Sequence, residues 1–231
     1  MAIMQTKQEP LDPRSAVKPT PRLWFWGTLA FVLALATGLA LGRVFAPAET
    51  ADYGGTALQG PAADFRLVDQ HGDQVALSDF RGRVVVLTFF DSQCRDVCPL
   101  TASHLRTVYR ALDDSAAVIF LGVNVNVQAN TVADVMATTQ QWLLDEIPTW
   151  HFLTGSAAEL EPVWQAYQVG VTPTEEGDIL HTPGVYLIDQ HGQKRWYISV
   201  PFGQSGGAAG FPPLSDLLGQ RIEELLREES D

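Results

Sequence analysis

The chain has 231 residues, of which 46% are apolar, and carries a formal net charge of −12. This apolar content excludes a disordered chain and suffices for one globular domain with an appendage. Residues 46–231 hold 10 basic against 25 acidic residues, a net charge of −15, so phosphate repulsion excludes a nucleic-acid-binding protein. This negative charge either keeps an exported domain soluble or makes the domain complementary to a basic partner.

The first predicted element is a transmembrane helix. Residues 23–41 contain no charged side chain over 19 positions, about the length that spans a bilayer core. Four basic and two acidic residues precede them, so the positive-inside rule predicts a cytoplasmic tail over residues 1–22, a membrane anchor over residues 23–45 and an exported remainder. The alternative is a signal peptide cleaved at the small residues 46–48, which would export the same domain.

The exported part begins with a predicted linker at residues 46–61, which are rich in Ala, Gly and Pro and lack periodicity. The folded domain is predicted over residues 62–231. It opens with a hairpin, in which residues 65–68 and 75–77 flank a Gly-containing turn. A continuous apolar run at residues 84–90 then predicts a strand buried on both faces.

Helices and strands alternate through the rest of the domain. The patterns predict an amphipathic helix, a buried strand, a second helix, a short strand, a third helix opened by a capping box, a hairpin and a closing helix. In chain order these are residues 99–112, 118–125, 132–143, 151–153, 156–167, 184–188 with 194–200, and 214–225. This order predicts an α/β fold with a mixed sheet covered by helices on both faces.

The two cysteines of the chain, Cys94 and Cys98, lie between the buried strand that ends at Phe90 and the following helix. The positive end of the helix dipole and the charge of Arg95 both favour thiolates there, so both thiols are expected to be reactive. Three interpretations stay open at this point: a structural disulfide, a redox dithiol, or a soft ligand pair for Cu(I), or for Zn(II) with harder ligands.

A metal held by two thiolates needs at least one more ligand, and the chain has five histidines. His181 is the candidate, because it stands in a polar segment just before the strand predicted at residues 184–188. Binding residues gather at such connections. A structural or solvent-exposed role is predicted for the other four: His71, His104, His151 and His191.

Five stretches of the sequence carry a family resemblance: DFRLVD at residues 64–69, LSDFRGRVV at residues 77–85, CRDVCP at residues 94–99, LTG at residues 153–155 and HTPGVYLID at residues 181–189. A gap of three residues between two cysteines is not specific by itself. Together with Asp-Val-Cys-Pro and a histidine just before Tyr-Leu-Ile-Asp it is specific. Between residues 62 and 198 the chain therefore resembles the Sco (SenC) family of membrane-anchored, thioredoxin-like copper proteins.

The resemblance implies a thioredoxin fold in which Cys94, Cys98 and His181 bind one copper ion, as Cu(I) or Cu(II). It implies a metallochaperone of the cell (inner) membrane, with its domain in the periplasm, that serves the dinuclear copper site of cytochrome c oxidase. The implied partners are the copper-accepting oxidase subunit, a thiol reductant and the membrane.

An alternative function is an exported thiol-disulfide oxidoreductase that uses Cys94 and Cys98 as a redox pair able to form a disulfide, with copper incidental. A peroxidase-like thioredoxin relative is weaker, because its usual Thr-x-x-Cys arrangement is absent from the sequence.

The chain departs from the family pattern at three places. Arg95 stands where the family usually has proline, and its charge is expected to change copper affinity. The sequence NVNVQ at residues 124–128 replaces an acidic Asp-Pro segment after the second buried strand, which puts a partner contact there in doubt. Residues 202–213 have no clear counterpart and are expected to form a loop.

Overall fold

The computed structural model describes residues 26, 31–32, 55–175, 178–199 and 212–228. The chain divides into two compact units, residues 1–51 and residues 52–231. Within the described part of the chain, no helix combines the length and the apolar content needed to cross a membrane. The predicted tail, most of the predicted anchor and most of the predicted loop at residues 202–213 lie outside the described residues.

The described residues of the second unit form short strands and four longer helices. The strands are β1 (Thr56–Ala57), β2 (Arg66–Val68), β3 (Gln74–Ala76), β4 (Val84–Phe90), β5 (Val118–Asn124), β6 (Trp150–Leu153), β7 (Val171–Pro173), β8 (Ile179–His181), β9 (Val185–Ile188) and β10 (Lys194–Ile198). The helices are α1 (Val97–Ala111), α2 (Val132–Gln141), α3 (Ala157–Ala166) and α4 (Leu214–Glu228).

A six-stranded mixed sheet, in the order β1-β10-β9-β4-β5-β6, forms the centre of the domain. Strand β4 pairs in parallel with β5 and antiparallel with β9, so that Val86 lies between Phe120 and Leu187. Every residue of β4 and β5 is buried, as their continuous apolar runs predicted. The predicted mixed sheet is therefore confirmed.

Helices cover both faces of this sheet, which is also confirmed. One face packs on α1, α2 and α4 through a core that includes Leu105, Val135 and Ile222. The other face packs on α3 and the β2–β3 hairpin through a core that includes Leu67 and Leu160. Because alternate residues of β4 enter the two cores, the end of this strand is a rigid support for the connection that follows it.

The start of α3 bears out the predicted capping box. The Glu159 carboxylate accepts hydrogen bonds from the N–H of Ser156 over 2.8 Å and from its hydroxyl over 2.7 Å. These bonds hold the pKa of Glu159 below its usual value. The first of them satisfies a backbone N–H that the start of a helix otherwise leaves unpaired.

Three short strands, β1, β7 and β8, are not predicted by the sequence patterns. Strand β1 lies within the stretch expected to be a linker and pairs with Trp196 and Tyr197 of β10. The ordered domain therefore begins before residue 62. Both residues of β1 are exposed, and a strand held by backbone hydrogen bonds rather than side-chain burial leaves no periodic signal.

The turn between β2 and β3 closes the free edge of β6. Gln70 is only 3% exposed; its Nε2 donates to the carbonyl of Trp150 over 3.1 Å and its Oε1 accepts from the N–H of Phe152 over 2.7 Å. Beside it, Asp69 Oδ2 lies 3.0 Å from Nδ1 of His151. The sequence predicted only a turn here, whereas the side chains of Asp69 and Gln70 also contact β6.

Candidate metal and thiol site

The two cysteines lie in the connection from β4 to α1. The N–H of Cys94 donates to the carbonyl of Asp91 over 3.1 Å, which forms a turn. Asp96 then caps α1 by accepting from the N–H of Val97 over 2.6 Å. This cap puts Cys98 in the first helical turn, where it is 2% exposed, while Cys94 is half-buried.

Both cysteines are free thiols. The N–H of Cys98 donates to Cys94 Sγ over 3.4 Å, and Cys94 Sγ lies 3.4 Å from Asp96 Oδ1. Hydrogen bonding with the Cys98 side chain lowers the pKa of Cys94 to about 7. The same bond, together with burial, raises the pKa of Cys98 well above its usual value. The expectation that both thiols are reactive stays a prediction. The lowered pKa favours Cys94 as the more reactive thiol, because the buried Cys98 keeps its proton.

His181 ends strand β8 and directs Nε2 towards Cys98 Sγ, 3.8 Å away. Its Nδ1 lies 3.2 Å from the carbonyl oxygen of Thr182. A carbonyl only accepts, so Nδ1 carries the proton and the Nε2 lone pair faces the sulfur. Burial lowers the pKa of His181, so the neutral imidazole is the form present at neutral pH.

The β7–β8 hairpin holds this histidine, where the sequence patterns predicted only a polar segment. Val171 of β7 lies opposite His181. Thr182 exchanges two hydrogen bonds with Gly170: its N–H donates to the carbonyl over 3.0 Å, and its Oγ1 accepts from the N–H over 3.1 Å. The hairpin therefore fixes the backbone on both sides of the imidazole.

The backbone after His181 approaches β4 and β10 closely. The carbonyl of Gly184 accepts from Oγ1 of Thr88 over 3.1 Å. A Cβ atom added to Gly184 would collide with the hydroxyl and ring of Tyr197. Only glycine fits here, so this position fixes how the histidine segment joins the sheet.

The separation of Cys98 Sγ and His181 Nε2 fits two ligands of one ion. For an ion bound at about 2.3 Å to sulfur and about 2.0 Å to nitrogen, the two ligand atoms are roughly 3.5–3.8 Å apart. Within the part of the chain that the structure describes, no group of three His, Cys, Asp or Glu side chains is already gathered to hold a metal. The predicted ligands instead form two adjoining pairs, Cys94 with Cys98 and Cys98 with His181.

The other four histidines have the roles that the sequence predicted. His151 is structural, since its Nδ1 lies 3.0 Å from the buried carboxylate of Asp69. His104 is partly buried on α1, and this burial lowers its pKa. His71 and His191 are exposed in turns.

Sequence reasoning missed a buried polar pair beside the cysteines. Asp91 is 5% exposed and its Oδ1 accepts from Nδ2 of Asn126 over 2.8 Å. Asn126 belongs to the NVNVQ segment in which the chain departs from the family pattern. Their positions in the sequence could have indicated them, because both residues follow buried parallel strands. Functional groups collect at the carboxyl ends of such strands.

Comparison with known proteins identifies relatives of the domain. Residues 55–205 match the sequence model of the SCO1/SenC family. The mitochondrial SCO2 protein of Saccharomyces cerevisiae is 29% identical over 147 residues, which cover 61% of this chain and 47% of that protein. The mitochondrial SCO2 homologue of Bos taurus is 31% identical over 137 residues, 56% of this chain and 50% of that protein. The chain spans about half the length of these curated relatives.

Solved structures of related proteins share the fold. ScoI of Bradyrhizobium japonicum with copper bound is 25% identical, with a TM-score of 0.55 over 72% of this chain and 99% of that chain. BsSco, a Sco-family cytochrome c oxidase assembly protein with a disulfide switch, is 19% identical, with a TM-score of 0.59 over 73% and 95%. The thioredoxin domain of a Bacteroides vulgatus thiol-disulfide oxidoreductase is 19% identical, with a TM-score of 0.52 over 73% and 97%. The predicted thioredoxin-like fold is confirmed.

Proposed function

Because the chain belongs to the SCO1/SenC family, we propose that it is a membrane-anchored copper chaperone that assists assembly of the dinuclear copper site of cytochrome c oxidase. The observation that carries the proposal is the approach of Cys98 Sγ to His181 Nε2, residues 83 positions apart in the sequence. A structural disulfide would need no histidine beside it. Further support comes from the copper bound in the Bradyrhizobium japonicum ScoI structure.

Copper is the cargo, and Cys94, Cys98 and His181 are its proposed ligands. The low pKa of Cys94, about 7, makes a thiolate available at neutral pH. Cys98 holds its proton more tightly, so copper loading releases a proton and weakens as pH falls. Two sulfurs suit Cu(I), and the imidazole also tolerates Cu(II). A disulfide between the cysteines would block loading, hence the need for a thiol reductant.

The ligand assignment is tested by titrating the reduced full-length chain with Cu(I) against a competing chelator. Wild type is expected to bind one ion, and His181→Ala to lose at least about tenfold in affinity, because two thiolates alone leave the ion under-coordinated. His191→Ala, an exposed histidine, is the matched control and is expected to bind like wild type. If wild type binds copper no better than Cys94→Ser/Cys98→Ser, the chaperone proposal fails.

The second candidate, an exported thiol-disulfide oxidoreductase, is favoured by the unequal thiols. A Cys94 nucleophile with a pKa of about 7 beside a protonated Cys98 is an arrangement suited to attack on a partner disulfide. The two functions differ in their need for His181. A His181→Ala chain that still supports oxidase assembly in cells, while cycling between dithiol and disulfide, would favour the reductase over the chaperone.

The proposal includes a single-pass anchor at residues 23–45 in the cell (inner) membrane, with residues 1–22 in the cytoplasm and residues 62–231 on the periplasmic side. Its support is the uncharged stretch at residues 23–41 and the basic residues before it. The full-length chain is expected to stay in membranes during alkaline extraction, and alkaline phosphatase fused after residue 231 to be active. A mature chain that begins near residues 46–48 would instead indicate a cleaved signal peptide.

A further inference from the structure

The connection that carries Cys94 is shaped by one buried carboxylate. Asp91 directly follows β4 and is 5% exposed. Its Oδ1 accepts from the N–H of Gln93 over 2.8 Å, and its carbonyl oxygen accepts from the N–H of Cys94 over 3.1 Å. Asp91 therefore sets the turn through both its side chain and its backbone.

The same carboxylate oxygen is bonded from the neighbouring strand. Asn126 lies two residues beyond β5, is 1% exposed and donates from Nδ2 to Asp91 Oδ1 over 2.8 Å. Its own N–H donates to Asn124 Oδ1 over 3.1 Å, and its Oδ1 accepts from the N–H of Gln128 over 2.9 Å. Asn126 is thus held firmly where it meets the carboxylate.

Neutral hydrogen bonds reinforce this connection from α2 and from the loop before it. Ser92 Oγ donates to the carbonyl of Ala129 over 2.7 Å. Thr138 Oγ1 of α2 donates to the carbonyl of Ser92 over 2.8 Å. The bond between Asp91 and Asn126 differs from these because its acceptor is a carboxylate, and such bonds are stronger than neutral ones.

The pair requires one acid and one amide. A carboxylate only accepts, so its buried partner must donate, and two carboxylates at this distance would repel each other with little water to screen them. A reversed pair, with the amide at position 91 and the acid at position 126, again faces one donor with one acceptor. Because a single oxygen of Asp91 accepts from both Gln93 and Asn126, an amide that turns its nitrogen towards position 126 regains the bond across the pair and gives up the bond from Gln93. The acid at position 126 would still accept from the N–H of Gln128.

We propose that Asp91 and Asn126 are positioning residues for Cys94: their buried hydrogen bond holds the connection after β4 in the conformation that brings Cys94 Sγ to Cys98. The inference deepens the proposed function and rests on it for its purpose, because a two-sulfur site works best when its sulfurs are prearranged. The hydrogen bonds themselves belong to the metal-free protein, so they are testable without copper.

The test uses the full-length chain, purified in detergent without metal and equilibrated with glutathione disulfide. The protein dithiol gives two electrons and two protons to one glutathione disulfide, which forms the Cys94–Cys98 disulfide and two glutathione thiols. In Asn126→Asp, repulsion between positions 91 and 126 is expected to draw Cys94 away from Cys98. The equilibrium constant for disulfide formation should then fall about tenfold, since contacting groups couple at that scale.

A reversed pair and a charge control make the test specific. Asp91→Asn/Asn126→Asp is expected to recover to within about threefold of the wild-type constant, because it removes the repulsion and restores the bond between the two positions. Gln128→Glu adds the same charge at an exposed position of the same loop, and it should also stay within about twofold of wild type. If Asn126→Asp behaves like Gln128→Glu, or if the reversed pair stays at the single-variant value, the proposal is overturned.

Folding and copper binding are read separately. If Asn126→Asp alone does not fold, a folded reversed pair within about threefold of the wild-type constant supports the proposal, and a reversed pair that also fails to fold overturns it. If the variants show the expected changes in the equilibrium constant for disulfide formation but wild type binds no copper, only the proposed function is overturned. If wild type binds copper and Asn126→Asp leaves the equilibrium constant for disulfide formation unchanged, only the proposed positioning role of Asp91 and Asn126 is overturned.

Discussion

At the residue scale, the pKa values of Cys94 and Cys98 differ because hydrogen bonding between their side chains shifts the two in opposite directions, and because Cys98 is the more buried thiol. The helix start and Arg95 suggested two similar thiolates, yet Arg95 is exposed and its charge is screened by solvent. The largest influence on Cys94 is the hydrogen bond from the Cys98 thiol. The sequence did not indicate which thiol holds the proton; the bond to Cys94 and burial together raise the pKa of Cys98.

We expect this proton sharing to appear in the alkylation of the metal-free protein. The rate for Cys94 with iodoacetamide should rise with pH through a midpoint of about 7. Cys98→Ala removes the donor that stabilises the thiolate, so the pKa of Cys94 should rise towards that of an ordinary thiol and its rate at pH 7 should fall about tenfold. The matched variant Cys94→Ala should alkylate slowly at neutral pH. An unchanged midpoint in Cys98→Ala would contradict the shared hydrogen bond.

At the element scale, β6 is the edge strand of the parallel half of the sheet, and the side chain of Gln70 covers its free edge. The amide of Gln70 pairs with Trp150 and Phe152 as a further strand would. Unpaired edge strands invite pairing with other chains. The sequence DQHG at residues 69–72 predicted a turn, and nothing in its composition indicates which strand edge that turn covers.

Replacing Gln70 tests this edge closure. Gln70→Ala leaves a buried donor and acceptor of β6 unpaired, which should lower the free energy of unfolding by about 1–3 kcal/mol in urea titrations. Amide exchange at Phe152 should accelerate. Gln74→Ala, an exposed glutamine of the same hairpin, should change the unfolding free energy by less than about 0.5 kcal/mol. Equal effects of the two variants would show that Gln70 does not protect the edge.

At the scale of the whole molecule, α4 joins the end of the domain to the face of the sheet that carries α1. Leu218, Ile222 and Leu225 are fully buried there, as the apolar periodicity of this segment predicted. Gln190 donates from Nε2 to the carbonyl of Leu225 over 3.0 Å, and so links the helix to the β9–β10 hairpin. Strand β4, helix α4 and helix α1, which bears Cys98, thereby share one hydrophobic core.

Truncating α4 inside this core is expected to destabilise the whole domain. Ile222→Ala should lower the unfolding free energy by about 2–5 kcal/mol, because it removes a fully buried side chain and leaves a cavity. Loss of secondary structure and of tryptophan fluorescence should still coincide in one transition. Glu223→Ala, exposed on the same helix, should cost less than about 0.5 kcal/mol. Separate transitions for the two signals would mean that α4 folds independently of the sheet.

The amino-acid sequence alone determined the main elements of the domain and the place of its chemistry. The buried runs of β4 and β5, the amphipathic helices and the capping box at Ser156 are local patterns, set by side chains a few residues apart. They sufficed to predict a mixed sheet with helices on both faces. They also put two cysteines between a buried strand and a helix.

Only the tertiary structure decided which distant groups meet. The approach of His181 to Cys98, the bond between Asp91 and Asn126 and the closure of β6 by Gln70 join residues that are far apart in the sequence. Such contacts depend on strand order, on register and on short hairpins such as β7–β8, which are held by backbone hydrogen bonds and leave no periodic trace. Periodicity reports which side of an element is buried, whereas the packing of all elements together determines what that side touches.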